Sequence, residues 1–455
     1  MKNISILLIF LLVASASFAN SCKPAKKNKN KSKKPNVVLI MADDMGYECL
    51  GCNGNTEYST PNLDDLASKG VRFTSCISQP LCTPSRVKIM TGQGNYRNYV
   101  GFGYLDVNQK TFGNLFKGAG YATCIAGKWQ LNGTKSGEPL DKNLDQDVNR
   151  PHHFGFDEYC LWQLIHSKKE GERFANSLLT QNGKDLPRDE DAYGPDIVNN
   201  FVLDFIDKQS EEPFFVYYPM LLVHDPFVPT PDSPEWADKS RRYENDTAYF
   251  ADMMAYTDKM VQNVIDKLKE KELWDNTILI FTGDNGTHKT IHSSTTNGVV
   301  IGGKGKTIRT GIHVPMIASW KGKSKGKVAG ELVSFADILP TLCDAAGIDD
   351  SQYLTDGKSF VHLLKGKSGE IQNELFIQDP GRFGGVKSSA TPKRWVMNKN
   401  YKLYRRGRFY NIAKDPLEKS PLDTLTAEEK KIKQHFQGIL NEKEKEFSLA
   451  RKKKR

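Results

Sequence analysis

Short continuous apolar runs alternate along the chain with amphipathic stretches, and this alternation predicts strands followed by helices. Five of these runs have the length and the β-branched content of buried strands, namely 36–42, 121–126, 213–223, 276–282 and 314–320. Strands that are apolar at successive positions are typical of a parallel sheet with helices on both faces. We therefore predict an α/β fold with a large, mostly parallel sheet sandwiched by helices.

Shorter strand patterns near the C-terminus predict a second unit. Residues 371–455 contain the strand-like runs NELFIQDPG, RWVMNKNYKLYRR and GRFYNIAKD, then a helical pattern over 422–448 and a basic tail. Short strands bounded by turn residues favour an antiparallel sheet. We predict a main α/β domain over 35–370 and a small C-terminal α+β subdomain over 371–455.

The N-terminus has the pattern of an export signal followed by a linker. Residues 1–21 combine Lys2, an apolar stretch and a small-residue cleavage site, which is typical of a signal peptide. The apolar stretch is too short to span a membrane, so we expect no transmembrane helix. Residues 22–34 form a basic linker, in which Cys22 could alternatively carry a lipid anchor. The protein is therefore expected to be exported, either periplasmic or secreted, and a lipoprotein if Cys22 is lipidated.

The net charge of +10 is concentrated at the two ends of the chain. Lys2, the linker and the RKKKR tail together carry more positive charge than this excess, so the body between them is slightly acidic. Basic runs of this kind are usually solvated tails, and we therefore predict no nucleic-acid partner. The eight cysteines are compatible with disulfides in an exported protein, but the sequence does not determine their pairing.

Polar side chains stand at one end of each predicted strand of the main domain. They are Asp43, Asp44, Lys128, Gln130, His224, Asp284, Asn285 and Lys304. Because the carboxyl ends of parallel strands meet at one edge of a sheet, we expect these side chains to lie together there. Carboxylate and amide oxygens without paired histidines favour a hard cation such as Ca²⁺ or Mg²⁺ over zinc or copper. The pattern predicts a site for a metal ion and an anion.

Cys82 stands in a loop before a predicted helix, in the stretch LCTPSRVKIMTG. Pro84 suits the first turn of a helix, where the missing N–H of proline costs nothing. Backbone N–H groups at such a position point outward and attract an anion. Arg86 lies one turn further on, where it can bind an anion through two hydrogen bonds. These residues predict a tetrahedral oxyanion, a divalent cation and a nucleophile at Cys82.

Several blocks, in their usual order, resemble the type I, formylglycine-dependent sulfatases of the alkaline phosphatase superfamily. The most specific is CTPSRVKIMTG, which matches the family's C-x-P-S-R signature, and others are NVVLIMADDMGYECLGCNGN, GYATCIAGKW and TGDNG. The likeness runs from Pro35 to about Glu418. It implies an alkaline phosphatase-like fold and hydrolysis of sulfate esters by S–O cleavage, and together with export it favours a bacterial enzyme acting on sulfated glycans. It also implies that a maturation enzyme oxidises Cys82 to formylglycine (3-oxoalanine), whose hydrate is the nucleophile.

The resemblance also implies a role for each matched residue. The ligands of one Ca²⁺, with Mg²⁺ the less favoured ion, are the modified Cys82 and the four residues Asp43, Asp44, Asp284 and Asn285. Arg86 steadies the nucleophile. Lys128 and Lys304 hold the sulfate oxygens, and His224 gives a proton to the leaving alcohol.

The chain departs from the family at Gln130, where sulfatases usually carry the histidine that accepts a proton when sulfate leaves. Glutamine cannot take up that proton near neutral pH. Three histidines on neighbouring segments are candidates to replace it, foremost His313 and otherwise His288 or His292. The alternative is that His313 contacts the sugar and that water or the metal environment accepts the proton. We assign these four residues and Arg309 to substrate binding.

Two other functions are compatible with parts of the pattern. One is that of a phosphatase, phosphodiesterase or phosphotransferase of the same superfamily, but these enzymes usually have a serine or threonine nucleophile and several histidine ligands for two metals. The other is a non-catalytic protein that binds sulfated glycans, which the change at Gln130 makes conceivable. The retained Cys82 and the complete set of charged site residues favour a sulfatase over both.

Overall fold

The structure is a computed structural model, and it describes residues 34–133, 146–166, 172–209, 212–381 and 392–453. The predicted signal peptide, the possible lipid anchor at Cys22 and all of the linker except Lys34 lie outside the described residues. Within the described ranges, no helix is long and apolar enough to cross a membrane.

Strands and helices follow one another in the alternation that the sequence predicts. In chain order the strands are β1 (Asn36–Ala42), β2 (Val71–Ile77), β3 (Ala122–Lys128), β4 (Glu158–Trp162), β5 (Leu179–Gln181), β6 (Lys184–Asp185), β7 (Phe214–Pro219), β8 (Thr277–Gly283), β9 (His292–Thr295), β10 (Gly298–Ile301), β11 (His313–Trp320), β12 (Lys327–Ala329), β13 (Val333–Ser334), β14 (Leu375–Asp379), β15 (Lys393–Met397), β16 (Tyr401–Tyr404) and β17 (Phe409–Asn411). The α-helices are α1 (Pro61–Lys69), α2 (Cys82–Thr91), α3 (Asn95–Asn98), α4 (Phe112–Gly118), α5 (Arg150–His153), α6 (Gly194–Lys208), α7 (Phe250–Glu270), α8 (Arg309–Ile312), α9 (Ile338–Ala346), α10 (Val361–Leu364) and α11 (Ala427–Lys453).

An 11-stranded sheet lies at the centre, in the order β12-β2-β11-β8-β1-β7-β3-β4-β5-β6, with β13 beside β2. The strands from β8 to β4 in this order are parallel. Strand β11 runs antiparallel to both β8 and β2. The prediction of a large, mostly parallel sheet is confirmed, and antiparallel pairings lie towards its two ends.

Helices cover both faces of this sheet. Along β1, Val38 and Ile40 belong to the core under α1, α6 and α7. Val37 and Leu39 belong to the core on the opposite face, under α2, α4 and α9. Because successive side chains of a strand point to opposite faces, a strand that is covered on both sides must be apolar throughout. This explains the unbroken apolar runs in the sequence.

Strand β7 is shorter than the apolar run that contains it. It ends at Pro219, although Met220 N still donates to Met41 O at 2.9 Å. The chain then passes along the end of β1, where Asp43 N donates to Leu222 O at 2.7 Å and Val223 N donates to Asp43 O at 2.8 Å. This backbone pairing brings His224, the next residue, to the end of β1.

Strand β11 reaches the same edge of the sheet in the opposite direction. Met316 pairs with Thr282 in antiparallel register, so the first residues of β11 lie beyond the last residues of β8. The loop before β11, which carries Lys304, therefore meets the edge at which the parallel strands end.

The C-terminal strands form a separate antiparallel sheet, in the order β14-β15-β16-β17. Helix α11 packs on it through Phe436 and Leu440. The predicted small antiparallel sheet is confirmed. The boundary between 370 and 371 stays a prediction.

Helix α11 begins later than the pattern over 422–448 predicts, and it extends to Lys453, into the basic tail. Thr426 Oγ1 accepts from Glu429 N at 3.2 Å, and the Glu429 carboxylate accepts from Thr426 N at 2.9 Å. This reciprocal pair is a capping box, and it starts the helix at Ala427.

Candidate active site

Cys82 is the first residue of α2, as the position of Pro84 predicts. Leu81 precedes it in extended backbone, and the first turn closes where Ser85 N donates to Leu81 O at 3.2 Å. The thiol is free, like those of the other described cysteines, and only 3% of Cys82 is exposed. The side chain therefore stands at the positive end of the helix dipole and is sheltered from water.

Three buried carboxylates lie beside α2. Asp43 and Asp44 follow β1, Asp284 follows β8, and none of the three is exposed. Asp44 has a φ of +61°, a left-handed conformation that aspartate adopts more readily than most residues. Its N–H donates to Asp284 Oδ1 at 2.9 Å. This hydrogen bond joins the two strand ends and brings their carboxylates together.

The carboxylate of Asp43 is surrounded by cations. Lys128 Nζ lies 2.8 Å and 3.0 Å from its two oxygens. Arg86 Nη2 lies 3.4 Å from Asp43 Oδ1 and 3.1 Å from Asp284 Oδ2. Burial alone would raise the pKa of Asp43, but the surrounding cations, with Lys128 first, lower it well below its ordinary value. Burial and the neighbouring charge of Asp43 instead raise the pKa of Asp284 to about 7.

Arg173 also binds Asp43, and the sequence analysis missed it. Its Nη1 donates to Asp43 Oδ2 at 2.9 Å, and its guanidinium lies 4.2 Å from the ring centre of Trp162. Arg173 belongs to the connection between β4 and β5, and it comes close to Asp43 because β4 pairs with β3 in the sheet. A single arginine in a loop between strands has no sequence pattern around it that would mark it as a site residue.

His224 forms a hydrogen-bonded chain with its neighbours. Its Nδ1 lies 2.6 Å from Asp225 O and 2.9 Å from Asp225 Oδ1. Both oxygens only accept, so Nδ1 carries the hydrogen. Its Nε2 lies 2.8 Å from Lys304 Nζ, which also contacts Asp44. Burial lowers the pKa of His224. Asp225 was not predicted as a site residue, although its place directly after His224 was a signal.

The donor atoms at this site fit a hard divalent cation. Asn285 Nδ2 donates to Asp44 Oδ1 at 2.8 Å, while Asn285 Oδ1 is buried and has no hydrogen-bond partner among the described residues. A buried carbonyl oxygen without a partner, next to carboxylates, suits a cation with oxygen ligands. Ligand atoms of Asp43, Asp44 and His224 also lie within 4.8 Å of one another. Because His224 Nε2 faces Lys304, the oxygen set is the better fit.

Gln130 is the neighbour of the Cys82 thiol. Cys82 Sγ lies 3.5 Å from Gln130 Oε1. Gln130 follows β3 in a left-handed conformation, with a φ of +53°, and its N–H donates to Gln163 O at 3.2 Å. A neutral amide therefore stands beside Cys82, where the resemblance to sulfatases leads to the expectation of a histidine.

His313 does not provide the missing base in this structure. It is almost fully buried, and its ring stacks on Tyr47 with 4.1 Å between the ring centres. Its Nε2 lies 3.1 Å from Thr74 O, and its Nδ1 accepts from Arg309 Nε at 3.4 Å. Neither nitrogen is free to accept a proton. Arg309 and His313 thus form a pair of their own rather than a contact with Cys82.

His288 lies beside the loop of Lys304, and His292 begins β9. Lys304 N donates to Thr287 O at 3.0 Å, directly before His288. The Nδ1 of His288 is 2.8 Å from Thr290 Oγ1. His292 is exposed. In the described structure, neither histidine is hydrogen-bonded to the residues around Cys82, and their assignment to substrate binding stays a prediction.

The charges at this site balance one another. The cationic side chains are Arg86, Lys128, Arg173 and Lys304, and the carboxylates are Asp43, Asp44, Asp284 and Asp225. A divalent cation at the oxygen donors would leave an excess of positive charge. An excess of positive charge is complementary to an oxyanion.

A protein-family model described as Sulfatase matches residues 35–348, which is more than half of the chain. The chain belongs to the sulfatase family. It is therefore a sulfuric ester hydrolase, as the blocks around Cys82 and Asp284 led us to expect.

Other sulfatases resemble this one along most of its length. The N-acetylgalactosamine-6-O-sulfatase of Bacteroides thetaiotaomicron is 28% identical over 499 residues, which cover 92% of this chain and 96% of the relative. Human arylsulfatase A is 30% identical over 395 residues, which cover 79% of this chain and 74% of the relative. A solved B. thetaiotaomicron structure, from a study of glycosaminoglycan metabolism, has a TM-score of 0.72 at 23% identity and covers 90% of this chain and 99% of its own. This likeness confirms the sulfatase fold.

Proposed function

We propose that this sulfatase removes sulfate from a sulfated sugar of a glycan, with a nucleophile formed from Cys82. The observation that carries the proposal is the position of Cys82 at the start of α2, where Arg86 on the same helix reaches both Asp43 and Asp284. The relative that covers 92% of this chain is named for a sulfated amino sugar. This supports a carbohydrate substrate.

Two groups would complete the site. A divalent cation, which we propose to be Ca²⁺, would be held by oxygens of Asp43, Asp44, Asp284 and Asn285 and supplies Lewis-acid stabilisation of sulfate oxygens. Formylglycine at position 82, made by a maturation enzyme, supplies the hydroxyl nucleophile and would add a further oxygen ligand.

The residues of the chain bind and orient the ester around these groups. Arg86 stays fixed by its two carboxylates and holds the nucleophile end of α2. Lys128 and Lys304 bring positive charge to the sulfate oxygens as charge develops on them. His224 and Lys304 are in hydrogen-bond contact, and we infer that this pair delivers the proton that the leaving alcohol needs.

Gln130 holds the nucleophile by a hydrogen bond and does not take a proton. Since His313 has both nitrogens engaged, we infer that water accepts the proton when sulfate leaves. The sequence left two acceptors open in place of a histidine, water and the metal environment.

We also propose that the protein acts outside the cytoplasm, because residues 1–21 have the pattern of an export signal. Cell fractionation and N-terminal sequencing of the mature protein test this. Recovery of the full-length chain in the cytoplasm would contradict it, and a lipid on Cys22 would identify a lipoprotein.

Sulfate release from a panel of defined monosulfated sugars tests the function. The protein is co-expressed with a formylglycine-generating enzyme, and the panel includes N-acetylgalactosamine 6-sulfate and its positional isomers. We expect stoichiometric sulfate and desulfated sugar from at least one member. Release of phosphate from matching phosphate esters, with no sulfate release from any member, would overturn the proposal.

Lys304→Ala is expected to lower kcat by about 10²- to 10³-fold, because a positioned donor to a developing oxyanion contributes on this order. Lys304→Arg keeps the charge but not the compact ammonium, so its loss should be smaller. The exposed Lys306 of the same loop gives a matched control, and Lys306→Ala should keep the wild-type kcat. Equal rates for Lys304→Ala and the control would remove Lys304 from the chemistry.

Asp225→Asn is expected to lower kcat about tenfold with unchanged metal content. The backbone carbonyl of Asp225 still accepts from His224 Nδ1 in this variant, so the ring keeps its orientation and only the carboxylate charge is lost. Asp232→Asn, the same substitution at an exposed position, is the control and should keep the wild-type kcat. A fall in kcat that follows a loss of bound metal would assign Asp225 to the metal site instead.

A further inference from the structure

A second concave site lies between the loop that follows Lys304 and the C-terminal sheet. Its volume is about 510 Å³, within the range of pockets that bind small molecules. Residues that line it include Thr307, Ile308, Lys393, Tyr404, Arg406 and Arg408. We call this site the basic pocket.

Lys393, Arg406 and Arg408 are exposed cations that line the basic pocket, and the two arginines are the ones suited to bind an anion through two hydrogen bonds. Arg394 and Arg405 also line it, but both contact Glu444, at 2.6 Å and 3.2 Å. Arg406 and Arg408 are exposed and form no ion pair with any residue in the described part of the chain. Exposed arginines that converge on a concave surface are suited to sulfate and carboxylate groups, because the guanidinium binds such groups through two parallel hydrogen bonds.

The negative charge of Glu418, which lines the pocket, is compensated and does not repel an anion. Glu418 accepts from Lys402 Nζ at 2.7 Å and from Tyr404 Oη at 2.6 Å. Lys402 and Glu418 are both buried, so the pair is neutral as a unit and is held in place by the tyrosine. The net charge that the pocket presents to solvent is therefore positive.

Two buried aromatic residues, Tyr404 and Tyr410, line the basic pocket. The rings of Tyr404 and Tyr410 lie edge to face with 6.1 Å between their centres. The guanidinium of Arg408 lies 5.6 Å from the ring centre of Tyr404.

The basic pocket is connected to the active site through one loop. Thr307 and Ile308 line the pocket, and they follow Lys304 in the same loop before α8. Thr307 Oγ1 is 2.8 Å from Tyr404 Oη, which fixes the loop to the C-terminal sheet. Thr307 is three residues after Lys304, and a chain segment of this length spans at most about 10 Å, so we infer that a glycan of a few sugars can extend from Lys304 to this pocket.

We propose that the basic pocket binds a second anionic group, a sulfate or a carboxylate, on the glycan whose sulfate ester lies at Cys82. The proposal rests on the proposed function, and it makes the substrate class a glycan with anionic groups on more than one sugar. Recognition of the second group by the C-terminal sheet would select such a chain over a singly sulfated sugar.

Binding measurements on an inactive protein test this without turnover. In a Cys82→Ala background, we expect Arg406→Ala combined with Arg408→Ala to weaken the binding of a heparin-derived oligosaccharide by about tenfold or more, because lost charge-assisted hydrogen bonds cost this much. Arg406→Glu, a single exposed change, is the second variant if the double variant does not fold. The matched control is Lys430→Ala combined with Lys431→Ala, which removes two exposed positive charges from α11.

Two further probes identify the anion. Dextran sulfate oligosaccharides carry sulfate alone, and hyaluronan oligosaccharides carry carboxylate alone. A probe whose binding depends on Arg406 and Arg408 but not on Lys430 and Lys431 supports the proposal and names the group. Unchanged binding of all three probes by the pocket variants, or equal losses in the control, overturns it. Because none of these measurements needs hydrolysis, a failure of the proposed function would be seen separately, in the sulfate-release panel.

Discussion

Replacing Cys82 with alanine is expected to lower sulfate-ester hydrolysis by at least about 10³-fold, because the variant has no atom at this position that can be oxidised and attack sulfur. The fold should survive, since the change removes a single sulfur atom at the start of α2. Initial rates of sulfate release measure the effect. In the wild-type protein, peptide mass spectrometry should show an aldehyde in place of the thiol of Cys82.

Cys52 gives a matched control for this exchange. It is half-buried and free in the structure, and Cys52→Ala should keep the wild-type rate of sulfate release. A fully active wild-type protein in which the Cys82 peptide retains its thiol would rule out formylglycine as the source of the nucleophile.

Removal of the Asp284 charge is expected to cost both the metal ion and the activity. Asp284→Asn keeps the shape of the side chain but takes one negative charge from the donor set. An uncompensated buried charge costs about 3 kcal/mol or more, so we expect Ca²⁺ affinity to fall by about 100-fold or more. Metal analysis after dialysis and titration with Ca²⁺ measure the loss, and high Ca²⁺ should restore part of the activity.

The contrast with a distant aspartate makes this test specific. Asp266 is exposed on α7, and Asp266→Asn should change neither bound metal nor rate. Tightly bound zinc in the wild type would contradict a calcium site with oxygen ligands. Full activity of Asp284→Asn after exhaustive removal of divalent cations would contradict it as well.

The position of Gln130 changes how the end of the reaction is understood. A histidine beside Cys82 would accept a proton directly, whereas the amide of Gln130 can only keep the side chain at position 82 in place. The structure offers no histidine substitute among His313, His288 and His292 within hydrogen-bond contact of Cys82 in its described part. Substitution of these histidines is therefore expected to change the rate of the last step less than substitution of Gln130.

Much of the fold followed from local rules. Strands β1 and β8 are buried on both faces, so nearly every residue of these runs has to be apolar and the strands can be recognised from the sequence. The start of α2 was marked by Pro84, because proline is tolerated in the first turn of a helix and not further in. Errors arose at element ends, as at Pro219, where β7 ends inside a continuous apolar run.

Part of the candidate site was also predictable. Asp43, Asp44 and Asp284 directly follow buried strands, and strands of one direction bring such residues to one edge of the sheet. Lys304 was harder to place, because β11 is antiparallel and its loop arrives from the other end. Its arrival at the same edge follows only from the pairing of β11 with β8.

The sequence by itself determined the five buried strands β1, β3, β7, β8 and β11, the start of α2 and the identity of the charged residues near the strand ends, since each depends on neighbours close along the chain. It did not predict β2, β4, β5, β6, β12 and β13, which complete the central sheet. Only the tertiary structure decided which groups distant in sequence form ion pairs and hydrogen bonds with one another. Arg173 binds Asp43 through the pairing of β4 with β3, and His313 is turned towards Thr74 and Arg309 by packing that no local pattern encodes. Hydrogen bonds and ion pairs act over a few ångströms, so partners remote in sequence are fixed only when the sheet has formed.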